Sequence, residues 1–128
     1  MPVMSLLVLE LDPQVGGALD LFLRGRGHRV RAAATLAEAI RALAAEAADV
    51  VLIGDIPDST DTASVAQRLR AIAGARPCGI VALASTMDDI AGVDCVLPRG
   101  CHPRAILDAL RTLAKKRATT GPIPALGA

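Results

Sequence analysis

Apolar residues in this chain fall into short unbroken runs, separated by stretches in which they recur every three or four positions. The plainest run lies in Ala48–Pro57 (ADVVLIGDIP), where Val50, Val51, Leu52 and Ile53 follow one another and end in Gly54–Asp55. A short run rich in β-branched residues and closed by a turn pair predicts a strand buried on both faces of a parallel sheet. Ser5–Leu11 (SLLVLEL) and Gly79–Ala84 (GIVALA) read the same way, and Arg29–Ala33 and Cys95–Leu97 predict two shorter strands.

The stretches between them have helical period. Asp12 offers an N-cap and Pro13 a first helical residue, with Val15, Ala18, Leu19, Phe22 and Leu23 expected inward and Gly25 and Gly27 ending the element. Gly16–Gly17 lowers helix propensity there, so this helix must lean on tertiary packing. Thr35 and Glu38 form a capping box ahead of Ala39, Ile40, Leu43, Ala44 and Ala47. Pro57–Thr62 (PDSTDT) is a polar turn, and Ala63–Ala73 follows as a helix with Val65, Leu69 and Ile72 inward. Between Ala84 and Gly92 only STMDDIA remains, room for about two turns at about 3.6 residues per turn. Cys101 or His102 caps a last helix that opens at Pro103, places Ile106, Ala109, Leu110 and Leu113 inward, and ends in the cations Lys115–Arg117. Ala118–Ala128 has no period and two prolines, and reads as a flexible tail or the start of a linker after a domain spanning residues 1–117.

Strand and helix alternate five times, with the fourth helix short or missing. That alternation implies an α/β fold, a parallel sheet between two helical layers with right-handed crossovers. Composition narrows the function. The 128 residues suit one domain, and a net charge of +1 gives no bias toward nucleic acid or an anionic membrane. Phe22 is the only aromatic residue among Phe, Tyr and Trp, so base- or sugar-stacking platforms are not expected. No apolar run approaches the roughly 20 residues of a membrane helix. The odd trio Cys78, Cys95 and Cys101 has no CxxC spacing and reads as reduced thiols of a cytoplasmic protein.

With VLELDP closing the first strand, ADVVLIGDIP the third and GVDCVLPRG the fifth, the chain resembles the response-regulator receiver domain over Ser5–Arg117. The resemblance implies a flavodoxin-like three-layer fold with strand order 2-1-3-4-5. It also implies a pocket at the strand ends in which acidic residues after the first strand hold Mg²⁺ and an Asp ending the third accepts a phosphoryl group. A Thr or Ser ending the fourth senses that group, and a Lys after the fifth pairs with it. Such chemistry needs a carboxylate to attack phosphorus and cations to neutralise the transferred oxygens.

Laid on this sequence, the acidic pair becomes Glu10 and Leu11, the acceptor Gly54, the hydroxyl Ala84 and the lysine Arg99. Val96 takes the position of the switch aromatic. The pattern implies a degenerate, non-enzymatic pseudo-receiver without a cofactor, acting through a protein partner or an output domain, with a homodimer as one form of contact. Asp12, Asp55 and Ser85 each sit one residue late. Strand side chains alternate between faces, so Asp55 serves as an alternative phosphoacceptor, with Mg²⁺, only if a bulge at Gly54 restores the register. A further alternative is a sensor of a small anion or metabolite in the crevice at the strand ends, with Arg99 as its cation. Glu10 is otherwise expected to be exposed or paired with a helix dipole, Asp12 to cap, and Asp55, Asp58 and Asp61 to serve turns.

Overall fold

The computed structural model describes residues 3–54, 62–73, 78–84, 90 and 92–120. Five strands, β1 (Ser5–Leu9), β2 (Arg29–Ala33), β3 (Val50–Ile53), β4 (Gly79–Ala84) and β5 (Cys95–Pro98), pair in parallel in the order β2-β1-β3-β4-β5. Between and after them run α1 (Pro13–Gly25), α2 (Leu36–Ala45), α3 (Thr62–Ala73) and α4 (Pro103–Thr120). The curtailed helix expected after β4 falls on residues 85–91, nearly all outside the described residues, as do Asp55 and the turn that follows it.

The central strands are apolar throughout because both of their faces are covered. Leu6, Val8, Val50, Leu52, Val81 and Leu83 pack with Leu19 and Leu23 of α1 and with Ile106, Leu110 and Leu113 of α4. Their alternates Leu7, Leu9, Val51, Ile53 and Ile80 pack with Ala39 and Leu43 of α2 and Val65 and Leu69 of α3. The two sets make two cores on either side of one sheet. Each large aliphatic side chain so buried contributes about 1.5–3 kcal/mol relative to exposure.

Polar residues fix where the helices begin. The Asp12 carboxylate accepts from Gln14 N–H at 2.9 Å, with Pro13 first in α1. Thr35 Oγ1 accepts from Glu38 N–H at 3.2 Å, and the Glu38 carboxylate reaches back to Ala34 N–H. His102, not Cys101, caps α4, its Nδ1 accepting from Arg104 N–H at 3.1 Å. On the far side of the sheet, Arg70 of α3 holds the approach to β5. Its guanidinium donates to Gly92 O (2.8 Å) and Cys78 O (3.0 Å) and pairs with Asp94 at 2.8 Å. The same Asp94 oxygen accepts from Ile80 N–H at 2.7 Å.

Several boundaries and faces differ from expectation. Strands β1 and β3 stop at Leu9 and Ile53, leaving Glu10, Leu11 and Gly54 just beyond the sheet. Helix α4 runs past Arg117 to Thr120, because Ala118, Thr119 and Thr120 contain nothing that interrupts a helix before Gly121–Pro122. Val15 and Ala18 face solvent, since α1 turns the line Gly16–Leu19–Leu23 to the sheet. Ala44 of α2 is also exposed, and so is Ile72 of α3, where Val65, Ala66 and Leu69 make the contact.

Candidate functional site

The carboxyl ends of β1, β3, β4 and β5 bring the sequence-derived site residues to one edge of the sheet. The ladder is regular as far as Gly54, whose N–H donates to Leu9 O at 2.8 Å as the Leu9–Ile53 pairing requires. Continuing that register sets Gly54 beside Glu10. Both lie one residue past the strand, on the side of the sheet that α1 and α4 cover.

Glu10 is buried, with 6% of its surface exposed, so of the two expectations, exposed or paired with a helix dipole, exposure is ruled out. Two glycines make this possible. The backbone of Gly16 in α1 is close enough that a Cβ there would lie 3.6 Å from Glu10 Cβ. On the other side, a Cβ at Gly54 would stand 2.9 Å from Glu10 Cδ and closer still to Oε1. The Glu10 carboxylate therefore occupies the volume into which any side chain at position 54 would project. Its second oxygen, Oε2, accepts from Asp12 N–H at 3.0 Å, tying it to the residue that caps α1. A buried carboxylate requires such hydrogen bonds.

The other positions surround this pair. Leu11 is 44% exposed and brings no oxygen. Ala84 ends β4, and its carbonyl accepts from Arg99 N–H at 2.9 Å, so the two are joined through the backbone. Arg99 itself opens the exposed turn after β5. Val96 is half-buried within β5. Asp55 lies outside the described residues.

Among the described residues the donors do not by themselves complete a phosphoryl-transfer Mg²⁺ site. That ion takes hard oxygen ligands in near-octahedral array. Here Leu11 stands in place of one carboxylate, Gly54 supplies no side chain, and Oε2 of Glu10 is engaged by Asp12 N–H. Among the described residues no three His, Cys, Asp or Glu side chains come together as a metal site.

No protein-family model matches the chain, and no curated protein matches it. Solved structures do. A CheY-like response regulator receiver domain from Methanospirillum hungatei superposes with a TM-score of 0.79 at 17% identity, covering 94% of this chain and all (100%) of that one. One from Methylobacillus flagellatus gives 0.77 at 18%, covering 88% and 99%. The receiver domain of a sensor histidine kinase from Pseudomonas aeruginosa, solved with a magnesium ion in its active site cleft, gives 0.75 at 21%, covering 88% and 98%. The fold is that of the response-regulator receiver domain.

Within this receiver fold, the burial of Glu10 is what sequence reasoning missed. The signal was present in parts: a glycine inside a helix, a glycine at a strand end, and an acid at the end of the adjacent strand. A second residue went unremarked at the opposite end of the sheet. His28 is buried, its Nδ1 accepts from Met4 N–H at 3.2 Å, and its Nε2 is buried with no hydrogen-bond partner in the structure. Burial first, and the charge of the amino terminus second, lower its pKa below the ordinary histidine value. Of the three free cysteines, Cys78 is buried, while Cys95 is half-buried with its thiol pKa raised by burial and by the neighbouring Asp94.

Proposed function

We propose that this chain is a receiver-type signalling module that takes no phosphoryl group at the receiver acceptor position and works by protein–protein contact. The observation that carries this reading is the Glu10 carboxylate seated where the side chain of residue 54 would stand. In a phospho-accepting pocket that volume holds a nucleophile and leaves an approach for phosphorus. Here a carboxylate from the neighbouring strand end fills it, held by Asp12 N–H. The module has no enzymatic activity and no resident cofactor in this reading. It acts in the cytoplasm on a protein partner or an output domain, without contacting nucleic acid or membrane. No helix among the described residues is long and apolar enough to cross a membrane.

The test is chemical. The chain is incubated with Mg²⁺ and acetyl phosphate, or with beryllofluoride, and followed by intact mass and by backbone amide signals. The expected result is no mass increment and no saturable change at Leu9 or Gly54. A mass increment abolished by Asp55→Asn would establish the conventional receiver reading with Asp55 as acceptor and sink this one. Saturable binding of small anions alone, lost in Arg99→Ala, would point instead to a sensor at the strand-end crevice.

A further inference from the structure

The amino end of the sheet, opposite the Glu10 cradle, holds a cavity of about 320 Å³. Ser5 at the start of β1, Arg24 near the end of α1, His28, Arg29 and Arg31 at β2, and Glu46 after α2 line it. That volume lies at the lower end of the range for small-ligand sites, about 300–1,000 Å³.

Its charges do not balance. Three guanidiniums line the cavity, and two carboxylates answer them. Asp20 is taken by Arg24, while Glu46 is shared between Arg29 and Arg31. The shared carboxylate is held loosely. Its oxygens stand 3.4 Å from Arg29 Nη2 and 3.8 Å from Arg31 Nε, against about 2.7–2.9 Å for a charge-assisted hydrogen bond. The Glu46 side chain is also half exposed, so it is free to leave both.

Hydrogen bonding adds a second, independent observation. Among the described residues two side-chain nitrogens are buried without a partner, His28 Nε2 and Arg31 Nε, and both residues line this cavity. Nδ1 of His28 accepts from Met4 N–H, so the ring proton sits on Nε2 and makes that atom a donor. Arg31 spends Nη1 and Nη2 on the carbonyls of Ala42 and Glu46, which leaves its Nε–H over. Buried donors in native proteins nearly always meet an acceptor. Two orphaned donors beside unbalanced positive charge call for an acceptor that is itself negative.

We propose that this cavity binds a small phosphate, free or as the monoester of a metabolite, whose oxygens displace the Glu46 carboxylate from Arg29 and Arg31. Guanidiniums present paired N–H groups that match phosphate oxygens. Three arginines and two further N–H groups suit the three or four oxygens of a phosphate better than the two of a carboxylate. Burial lowers the pKa of His28, so at neutral pH its ring brings a hydrogen bond and no charge. The site lies at the other end of the sheet from the acceptor position and is independent of whether that position takes a phosphoryl group.

The test is a titration of the full chain with inorganic phosphate at neutral pH, the ionic strength held constant with chloride, followed by backbone amide signals. Saturable change is expected at Ser5, Arg29, Arg31 and Glu46, with Gly54 and Arg99 unmoved. Arg29→Gln should weaken binding at least about tenfold, and Glu46→Gln should tighten it at least about tenfold, because the competing carboxylate is gone. Both side chains are exposed, so neither change endangers the fold. Arg68→Gln, which removes the same charge from the exposed face of α3, should leave binding as it was. Glycerol 3-phosphate binding more tightly than phosphate would assign the cavity to a monoester, and equal or weaker binding to free phosphate. Shifts that do not saturate, that centre on Gly54 and Arg99, or that acetate produces equally would overturn the proposal. So would a Glu46→Gln chain that binds no more tightly, since no carboxylate would then have been displaced.

Discussion

Gly54→Ala is the smallest perturbation that asks whether Glu10 belongs where the structure puts it. The added methyl would stand within 2.9 Å of Glu10 Cδ, so the carboxylate must rotate away. Rotation forfeits its hydrogen bond from Asp12 N–H, and hydrogen bonds to charged groups contribute about 1.5–3 kcal/mol. A side chain forced off its rotamer adds about 0.5–1.5 kcal/mol. The loss of glycine freedom in the unfolded chain offsets about 0.4–1 kcal/mol of this. A net destabilisation of about 1–4 kcal/mol follows, read by urea unfolding. Glu10→Ala removes the obstacle, so the cost of Gly54→Ala should fall by about 1–3 kcal/mol in the Glu10→Ala background, a coupling measured by a double-mutant cycle. Additive effects, or a neutral Gly54→Ala, would refute the placement of Glu10 and with it the ground for calling the acceptor volume filled.

Two other expectations concern the ends of the sheet. His28 is held neutral by burial, so the unfolded chain takes up a proton near the ordinary value of about 6.5 while the folded chain resists until lower pH. Over that interval the unfolded state binds more protons and stability falls as pH falls; His28→Asn, which keeps an acceptor near Met4 N–H, should flatten this limb in urea titrations from pH 7 down to 5, and an unchanged slope would show that His28 is not its source. Arg70→Met should cost about 1–3 kcal/mol, because it leaves Gly92 O and Cys78 O short of a donor, and should speed hydrogen exchange at Ile80. Arg70→Lys should not recover this, since one ammonium cannot serve three acceptors in the geometry of a planar fork; full recovery would mean that charge alone matters there.

How legible the molecule was in its sequence follows from what carries a signal. Strands β1, β3 and β4 were plain because a sheet covered on both faces demands unbroken apolar runs, and Asp12–Pro13 and Thr35–Glu38 announced two helix starts because caps use few residue types. The rotation of α1 was hidden. Its inward line begins at Gly16, a residue with no hydrophobic signal, so Val15 and Ala18 looked like the buried face and proved exposed. Departures from the receiver pattern could be read at Leu11, Gly54 and Ala84 one residue at a time. What could not be read was that Glu10 enters the room left by Gly54, because that requires glycines at 16 and 54 to be brought to either side of it by the fold. The Arg70 clamp was equally silent, as two of its three acceptors are backbone carbonyls, which every residue has.

The cradle around Glu10 makes the site epistatic. Placing an acceptor by Gly54→Asp alone sets a second carboxylate into a volume already holding one, two negative charges side by side. Replacing Glu10 alone empties the volume without supplying a nucleophile. Neither single step places a free acceptor at position 54, and each loses something the folded chain now has. A scan of single substitutions at position 54 should therefore return almost nothing but glycine, whereas a library varied at 10 and 54 together should reveal pairs that fold. Under the proposed function, the chain is separated from a receiver with an acceptor at position 54 by a correlated change, and its present arrangement is a trap in sequence space as much as a feature of the structure.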